Sequence, residues 1–240
     1  MAAQVFFADM RTGMRENLHT KLERLADQAG LSGIVNSGEL VAIKLHFGEK
    51  GGHAYIRPTF VRRIVDQVKS VGGKPFLTDS STLYPGERKE AVSALSCAIE
   101  NGFAYAVVNA PLIMSDGLRG HSARRVAVPG ELLDEVDIGQ EILEAEAMIA
   151  LSHFKGHELT GFGGAIKNLA KDVPVTYPAD SLLGRCWHTN LGGRIVVTCE
   201  TEYWDESVFS WHGVVATVTD DVGNSCRNVC ESDSGVDRWA

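Results

Sequence analysis

The chain has 240 residues and lacks any run of about 18 apolar residues, the length a membrane-crossing helix needs, so no span is expected. Its first residues, MAAQVFFADMRTGMREN, lack the basic segment and apolar core of a secretory signal. Cationic excess is absent too. Lys and Arg number 23 against 31 Asp and Glu, a net charge of -8, which argues against nucleic acid as the main partner, because phosphate binding needs clustered basic side chains. Cysteine is sparse: five residues cannot all pair with one another, and without a signal a reducing cytoplasm is the expected location. There is no Walker A spacing, no G-x-G-x-x-G fingerprint, no internal repeat and no low-complexity linker. The length suits one large domain, or one domain with a small appendage.

What is present is an alternation of strand and helix signals. Val5 to Met10 reads as an opening strand, followed by a helix with Leu18, Leu22, Leu25, Ala26 and Ala29 on one face. Leu40 to Phe47 is a nearly continuous apolar run, the pattern of a buried strand. After the glycine-rich GEKGGHAY, Pro58 opens a helix whose apolar face runs from Phe60 to Val71, and Gly72-Gly73 stops it. Lys74 to Asp79 is a third strand, and Glu87 to Asn101 a helix closed by Gly102. FAYAVVNA, RVAVPG and EAMIALSHF read as further strands. The order predicts an α/β fold, a mostly parallel sheet with helices on both faces and an irregular C-terminal tail.

In open α/β sheets, ligands bind beyond the carboxyl ends of the strands. Three expected strand ends carry polar groups. The first offers Lys44, His46 and Glu49; period two puts Lys44 and His46 on one face, either as a site or as the solvated face of an edge strand. The second offers Asp79, Ser80, Ser81 and Thr82, where Asp79 either orients a partner or caps a turn. The third offers His153, Lys155 and His157, then Gly161, Gly163, Gly164, Lys167 and Asn168. The glycines permit close backbone approach and an anion nest, a helix starting at AIKNLA would add its dipole, and the lysines neutralise an anion. The histidines suit proton transfer or metal binding; the alternative is a glycine-rich turn with solvated histidines. Parallel neighbouring strands would open all three sets onto one rim. Ser80 and Ser81 have no assigned base, so no nucleophile stands out. Cys97 falls within an amphipathic helix and reads as a small core residue.

Three segments, VAIKLHFGEKGGHAYIRP, FLTDSSTLYPGER and ALSHFKGHELTGFGGAIKNL, resemble the family called domain of unknown function 362, over about Val5 to Leu169. The shared blocks fall on Lys44, His46, Gly48 and Glu49; on Thr78, Asp79 and Ser80; and on His153, Lys155, His157, Gly163, Gly164, Lys167 and Asn168. The resemblance implies relatives with ferredoxin-type modules holding 4Fe-4S clusters, and a rim site for an anionic small molecule or a metal cofactor. The GG-x-x-K segment is also loosely similar to the lactate racemase family, which holds a nickel-containing cofactor. Partners expected on this basis are a small anionic ligand or a redox partner. Catalytic roles would fall to His46, Asp79, His153 and His157. Lys44, Glu49, Ser80, Lys155, Gly163, Gly164, Lys167 and Asn168 would bind the ligand. A noncatalytic ligand- or partner-binding module without a cluster is the alternative.

The cysteine runs of those relatives are missing here. Cys226 and Cys230, three residues apart, do not have ferredoxin spacing and make a weak zinc signal. Composition also breaks near Lys171. From Lys171 onward lie all four tryptophans and four of the five cysteines, with 5 Lys and Arg against 11 Asp and Glu. Residues 1–170 therefore read as the α/β domain and 171–240 as an atypical tail, either divergent or frameshifted. An Ala-Lys-Gly-Cys-Ala coding series that loses one G reads Ala-Lys-Asp-Val-Pro, the sequence of Ala170 to Pro174.

Overall fold

The computed structural model describes residues 5–82, 86–127, 134–157, 161–170, 195–205 and 208–219, with side chains up to Leu169 apart from 155–162. Ten strands and six α-helices occur among these, with a 3-10 turn at Leu31–Gly33 and a π turn at Ile99–Phe103. In chain order they are β1 (Val5–Asp9), α1 (Leu18–Gln28), β2 (Leu40–Leu45), α2 (Pro58–Ser70), β3 (Lys74–Asp79), α3 (Ala91–Ala98), α4 (Tyr105–Val108), β4 (Leu112–Met114), β5 (Ala123–Ala127) and β6 (Glu135–Gly139). Then follow α5 (Gln140–Leu143), β7 (Ala147–His157), β8 (Gly161–Gly163), α6 (Ala165–Ala170), β9 (Ile195–Asp205) and β10 (Val208–Thr219).

The main sheet has the order β1-β10-β9-β7-β2-β3-β4, with β8 paired to β7. Strands β4, β3, β2 and β7 are mutually parallel, β9 runs parallel to β7, and β10 and β1 are antiparallel to their neighbours. This is the expected α/β class, and β2 lies at the centre of the parallel part.

Alternation along the central strands divides the core. Val41, Ile43 and Leu45 of β2 and Ala147, Ile149 and Leu151 of β7 join the larger cluster, with Leu22 and Leu25 of α1 and Phe60, Val61, Ile64, Val65 and Val68 of α2. Ala42, Phe76 and Met148 point to the other face, against Ile142 of α5 and Leu169 of α6. Helices thus cover both faces. α1 begins where the Asn17 side chain accepts the Thr20 amide at 3.0 Å, and α2 begins at Pro58, whose missing N–H costs nothing there.

Four expectations change in the structure. FAYAVVNA forms a short helix, α4, not a strand; Asn109 ends it in the left-handed region at φ 59°, and α2 supplies cations to its last carbonyls. Arg62 Nη1 donates to Val107 O at 3.2 Å and Lys69 Nζ to Asn109 O at 2.5 Å. The helix expected from Glu87 starts at Ala91, because the Glu90 carboxylate caps it by accepting the Val92 and Ser93 amides at 2.7 and 2.8 Å. Of RVAVPG, Arg125 to Ala127 lie in a strand and the rest lies outside the described residues, but β5 pairs with β6 in a separate two-stranded sheet. Residues 195–205 and 208–219, in a tail expected to be irregular apart from some strand character in VTCETEYW and GVVATVTD, form β9 and β10, which pair antiparallel with Val208 opposite Asp205, although no hairpin-forming turn sequence joins them. Cys186, Cys226 and Cys230 lie outside the described residues.

Candidate functional site

Because β2 sits between β3 and β7 and runs parallel to both, the carboxyl ends of all three reach the same edge of the sheet. At that edge a chain of buried polar side chains crosses from α6 to the loop before α3.

Lys44 is the starting point. It stands on a central strand, fully buried, which removes the edge-strand reading of this position. Its ammonium donates to Asp79 Oδ1 at 2.9 Å and to Asn168 Oδ1 at 3.0 Å. Asn168, on α6, returns the contact through its amide nitrogen, which donates to Ser152 Oγ at 2.9 Å, Leu151 O at 3.2 Å and Lys44 O at 3.3 Å. One asparagine therefore ties α6 to β2 and β7, with both ends of its amide used as the inventory of that side chain allows.

Asp79 ends β3 and is also buried. Besides Lys44 it accepts the Ser80 amide at 2.9 Å on Oδ1; on Oδ2 it accepts Arg88 Nη1 at 3.1 Å and the Phe47 amide at 3.5 Å. Arg88 is 1% exposed, and its Nε and Nη2 donate to Glu49 Oε1 on the glycine-rich loop after β2. The Arg88 backbone is fixed as well, its carbonyl accepting the Thr82 amide at 2.8 Å. The result is an ordered series: Glu49, Arg88, Asp79, Lys44, Asn168, Ser152. Two cations share one fully buried carboxylate, and the second carboxylate, Glu49, is 47% exposed. In a low-dielectric setting such pairs hold strongly once formed, and losing one member strands a buried charge.

A third carboxylate lies beside this chain. Asp116, buried after β4, accepts the Ser81 amide at 2.8 Å and the Ser81 hydroxyl at 3.3 Å. Burial pushes its pKa above the ordinary carboxylate range, with the neighbouring Asp79 charge acting in the same direction. Ser115 closes the gap between the two, donating its amide to Asp79 O at 2.9 Å.

The remaining predicted residues separate. Ser80 is buried and contributes its amide to Asp79. His46 Nδ1 accepts the Gly48 amide at 3.0 Å, which leaves the proton of the neutral ring on Nε2. His153 is buried on β7, and alternation from Ser152 carries it toward the opposite face from Lys44 and Asn168. Gly163 lies in β8 and Gly164 just before α6; a Cβ on Gly163 would stand 3.1 Å from Lys167 Cδ, so that lysine folds back over the glycine. The side chains of Lys155 and His157 lie outside the described residues. Among the described residues no three His, Cys, Asp or Glu side chains converge as metal ligands. Cys97 is buried in α3, where desolvation raises its thiol pKa.

Gly48 has a firm structural reason. Its φ is 83°, and a Cβ would lie inside van der Waals contact of the Tyr55 ring. Arg88, Asp116 and Ser152 were not among the predicted site residues. Arg88 stood in the quoted TLYPGER segment, but nothing in its spacing marks an arginine that folds inward.

Fold and rim together define an α/β domain with a charged polar chain at the carboxyl edge of a parallel sheet. The chain belongs to the family described as domain of unknown function (DUF362), whose model matches residues 41–177. It is 27% identical over 181 residues to the thylakoid-associated protein sll1697 of Synechocystis sp., covering 73% of this chain and 49% of that one. The chain thus spans about half the length of this curated relative. A Thermotoga maritima protein solved by a structural genomics consortium is similar in fold, with TM-score 0.53, 12% identity and coverage of 83% of this chain and 54% of that one. The lactate racemase apoprotein of Thermoanaerobacterium thermosaccharolyticum matches at TM-score 0.43 with 13% identity, covering 80% and 51% of the two chains. Among the described residues no helix is long and apolar enough to cross a membrane.

Proposed function

We propose that this domain binds a small oxyanion, a carboxylate or a phosphate, at the carboxyl edge of the β2–β3–β7 sheet. The observation that carries this reading is the charge arrangement: Lys44 and Arg88 both converge on Asp79, and the carboxylate that balances the second cation, Glu49, stands half-exposed at the surface. The rim is therefore cationic beneath an acidic cover. A binding role is favoured over acid/base catalysis by what surrounds Asp79. Two cations and two backbone amides occupy both of its oxygens, the setting of a carboxylate that orients its neighbours. In this reading His46 and Lys167 border the site and Ser80 shapes it.

The experiment is thermal unfolding with phosphate or acetate added against chloride at matched ionic strength. A ligand that binds only the folded state raises the midpoint with concentration. The proposal predicts a rise that saturates and that shrinks as chloride is increased. Identical midpoints in all salts would overturn it.

An iron–sulfur partner for this domain is proposed on the family resemblance alone. Its test is iron and labile sulfide in material purified anaerobically together with whatever copurifies; their absence from every such preparation would remove the proposal. For residues 171–240 we propose a shifted reading frame as the source of the break in composition, since Val- and Thr-rich stretches of any origin pair readily as strands. The coding DNA decides: a restored downstream frame rich in cysteine is expected, and its absence would refute the shift.

A further inference from the structure

We infer that Glu49 is a built-in competitor: its carboxylate occupies the seat on Arg88 that an incoming oxyanion takes, so that ligand binding displaces the Glu49 loop. This rests on the oxyanion reading of the rim and adds to it the group that holds the anion and the element that responds.

The geometry has three parts. The Arg88 guanidinium is immobilised from behind, by Asp79 Oδ2 at 3.1 Å from Nη1, while Asp79 is itself gripped by Lys44. It cannot swing without breaking that buried pair. Its other edge, Nε and Nη2, is the one that faces Glu49. That edge is a planar fork matched to two oxygens of a carboxylate or phosphate, yet both nitrogens here meet one oxygen, Oε1, a poorer fit than the side-by-side arrangement a free oxyanion adopts. Finally, the exposures are unequal: Arg88 is 1% exposed and Glu49 47%. Glu49 is thus the partly exposed member of the pair, and its carboxylate reaches the guanidinium from the solvent side.

The loop that carries Glu49 can yield. Gly48 before it and Gly51 after it sit at φ 83° and 76°, and Gly51 has no neighbour within 4 Å of a Cβ position. Asn101 Nδ2 anchors the near end by donating to Phe47 O at 2.9 Å, and its bond to Glu49 O is longer, at 3.4 Å; the Glu49 carbonyl also accepts the Gly52 amide at 3.0 Å, a bond internal to the loop that moves with it. Release of the Glu49 side chain therefore leaves β2 and Phe47 in place.

The test is calorimetric titration of the full chain with inorganic phosphate and, separately, acetate, in wild type, Glu49→Gln and Glu49→Ala. With the competitor removed, affinity for the preferred anion rises about fivefold, the scale set by a partly exposed ion pair that must open before binding. Phosphate and acetate give different gains, which distinguishes the two ligand sources. Arg88→Lys in the Glu49→Ala background loses that gain, because an ammonium lacks the fork; should that protein not fold, phenylglyoxal labelling of Arg88 in Glu49→Ala serves instead, with protection by the bound anion expected. Binding by wild type that is unchanged in both Glu49 variants would overturn the competitor role while leaving the oxyanion site standing. No binding by any of the three proteins would overturn both.

Discussion

At the scale of single residues, the account rests on Lys44. A lysine with no exposed surface survives in a core only when its charge is met, and here Asp79 and Asn168 meet it. Lys44→Met keeps the length of the side chain and removes the charge. It leaves Asp79 short of a cation and Asn168 short of a donor, and a loss of about 3 kcal/mol in urea unfolding is expected. Arg125→Ala, which breaks the exposed pair with Asp137 across β5 and β6, should cost less than about 1 kcal/mol. Equal costs would show that the Lys44 pair adds nothing beyond a surface pair. The positions of Lys44 and Asp79 at the ends of two strands were legible beforehand, since Lys44 falls late in one apolar run and the TD pair closes the next; their pairing was not. What could not be read was its depth. Lys44 stands where the apolar period gives way, and only the arrival of Asn168 from α6, 124 residues later, makes burial possible.

At the scale of elements, strands and long helices followed their period, while the loops and short helices did not. The run from Lys74 to Asp79 is a strand with the predicted bounds, since Gly72-Gly73 ends the preceding helix and Phe76-Leu77 supply the buried apolar centre of a short parallel strand. FAYAVVNA has β-branched residues and still forms α4, since Arg62 and Lys69 of α2 satisfy its terminal carbonyls; that help comes from another element and leaves no local trace. The loop after β2 offers a direct test of its backbone. Gly48→Ala meets both a left-handed φ and the Tyr55 ring, and should destabilise by about 2 kcal/mol or more. Gly51→Ala has the same kind of φ but open space, and should cost only about 1 kcal/mol. A Gly51→Ala loss as large as that of Gly48→Ala would mean that the Tyr55 contact does not hold the loop.

At the scale of the whole molecule, the rim is the point where β2, β3, β7, α6 and the loop before α3 are joined by charge, and the stability of the fold should sense its ionisation. Asp116 has a folded pKa raised above its unfolded value by burial, so the protonated form favours the folded state. Its contribution is full below the unfolded carboxylate pKa and declines as pH rises through the raised value. Asp116→Asn should flatten that decline in the range just above the usual carboxylate pKa; an unchanged slope would assign the pH dependence elsewhere. The central claim, that a solvent-borne oxyanion reaches Arg88, has its most direct test in heteronuclear NMR of the Arg88 Nε–H during titration of the full chain with phosphate. A buried, hydrogen-bonded guanidinium N–H exchanges slowly enough to follow. The account predicts a saturable shift of that signal, larger than any shift of the Arg62 Nε–H on the surface of α2. An Arg88 signal that stays fixed while phosphate binds, or one that moves only as the Arg62 signal does, would contradict it.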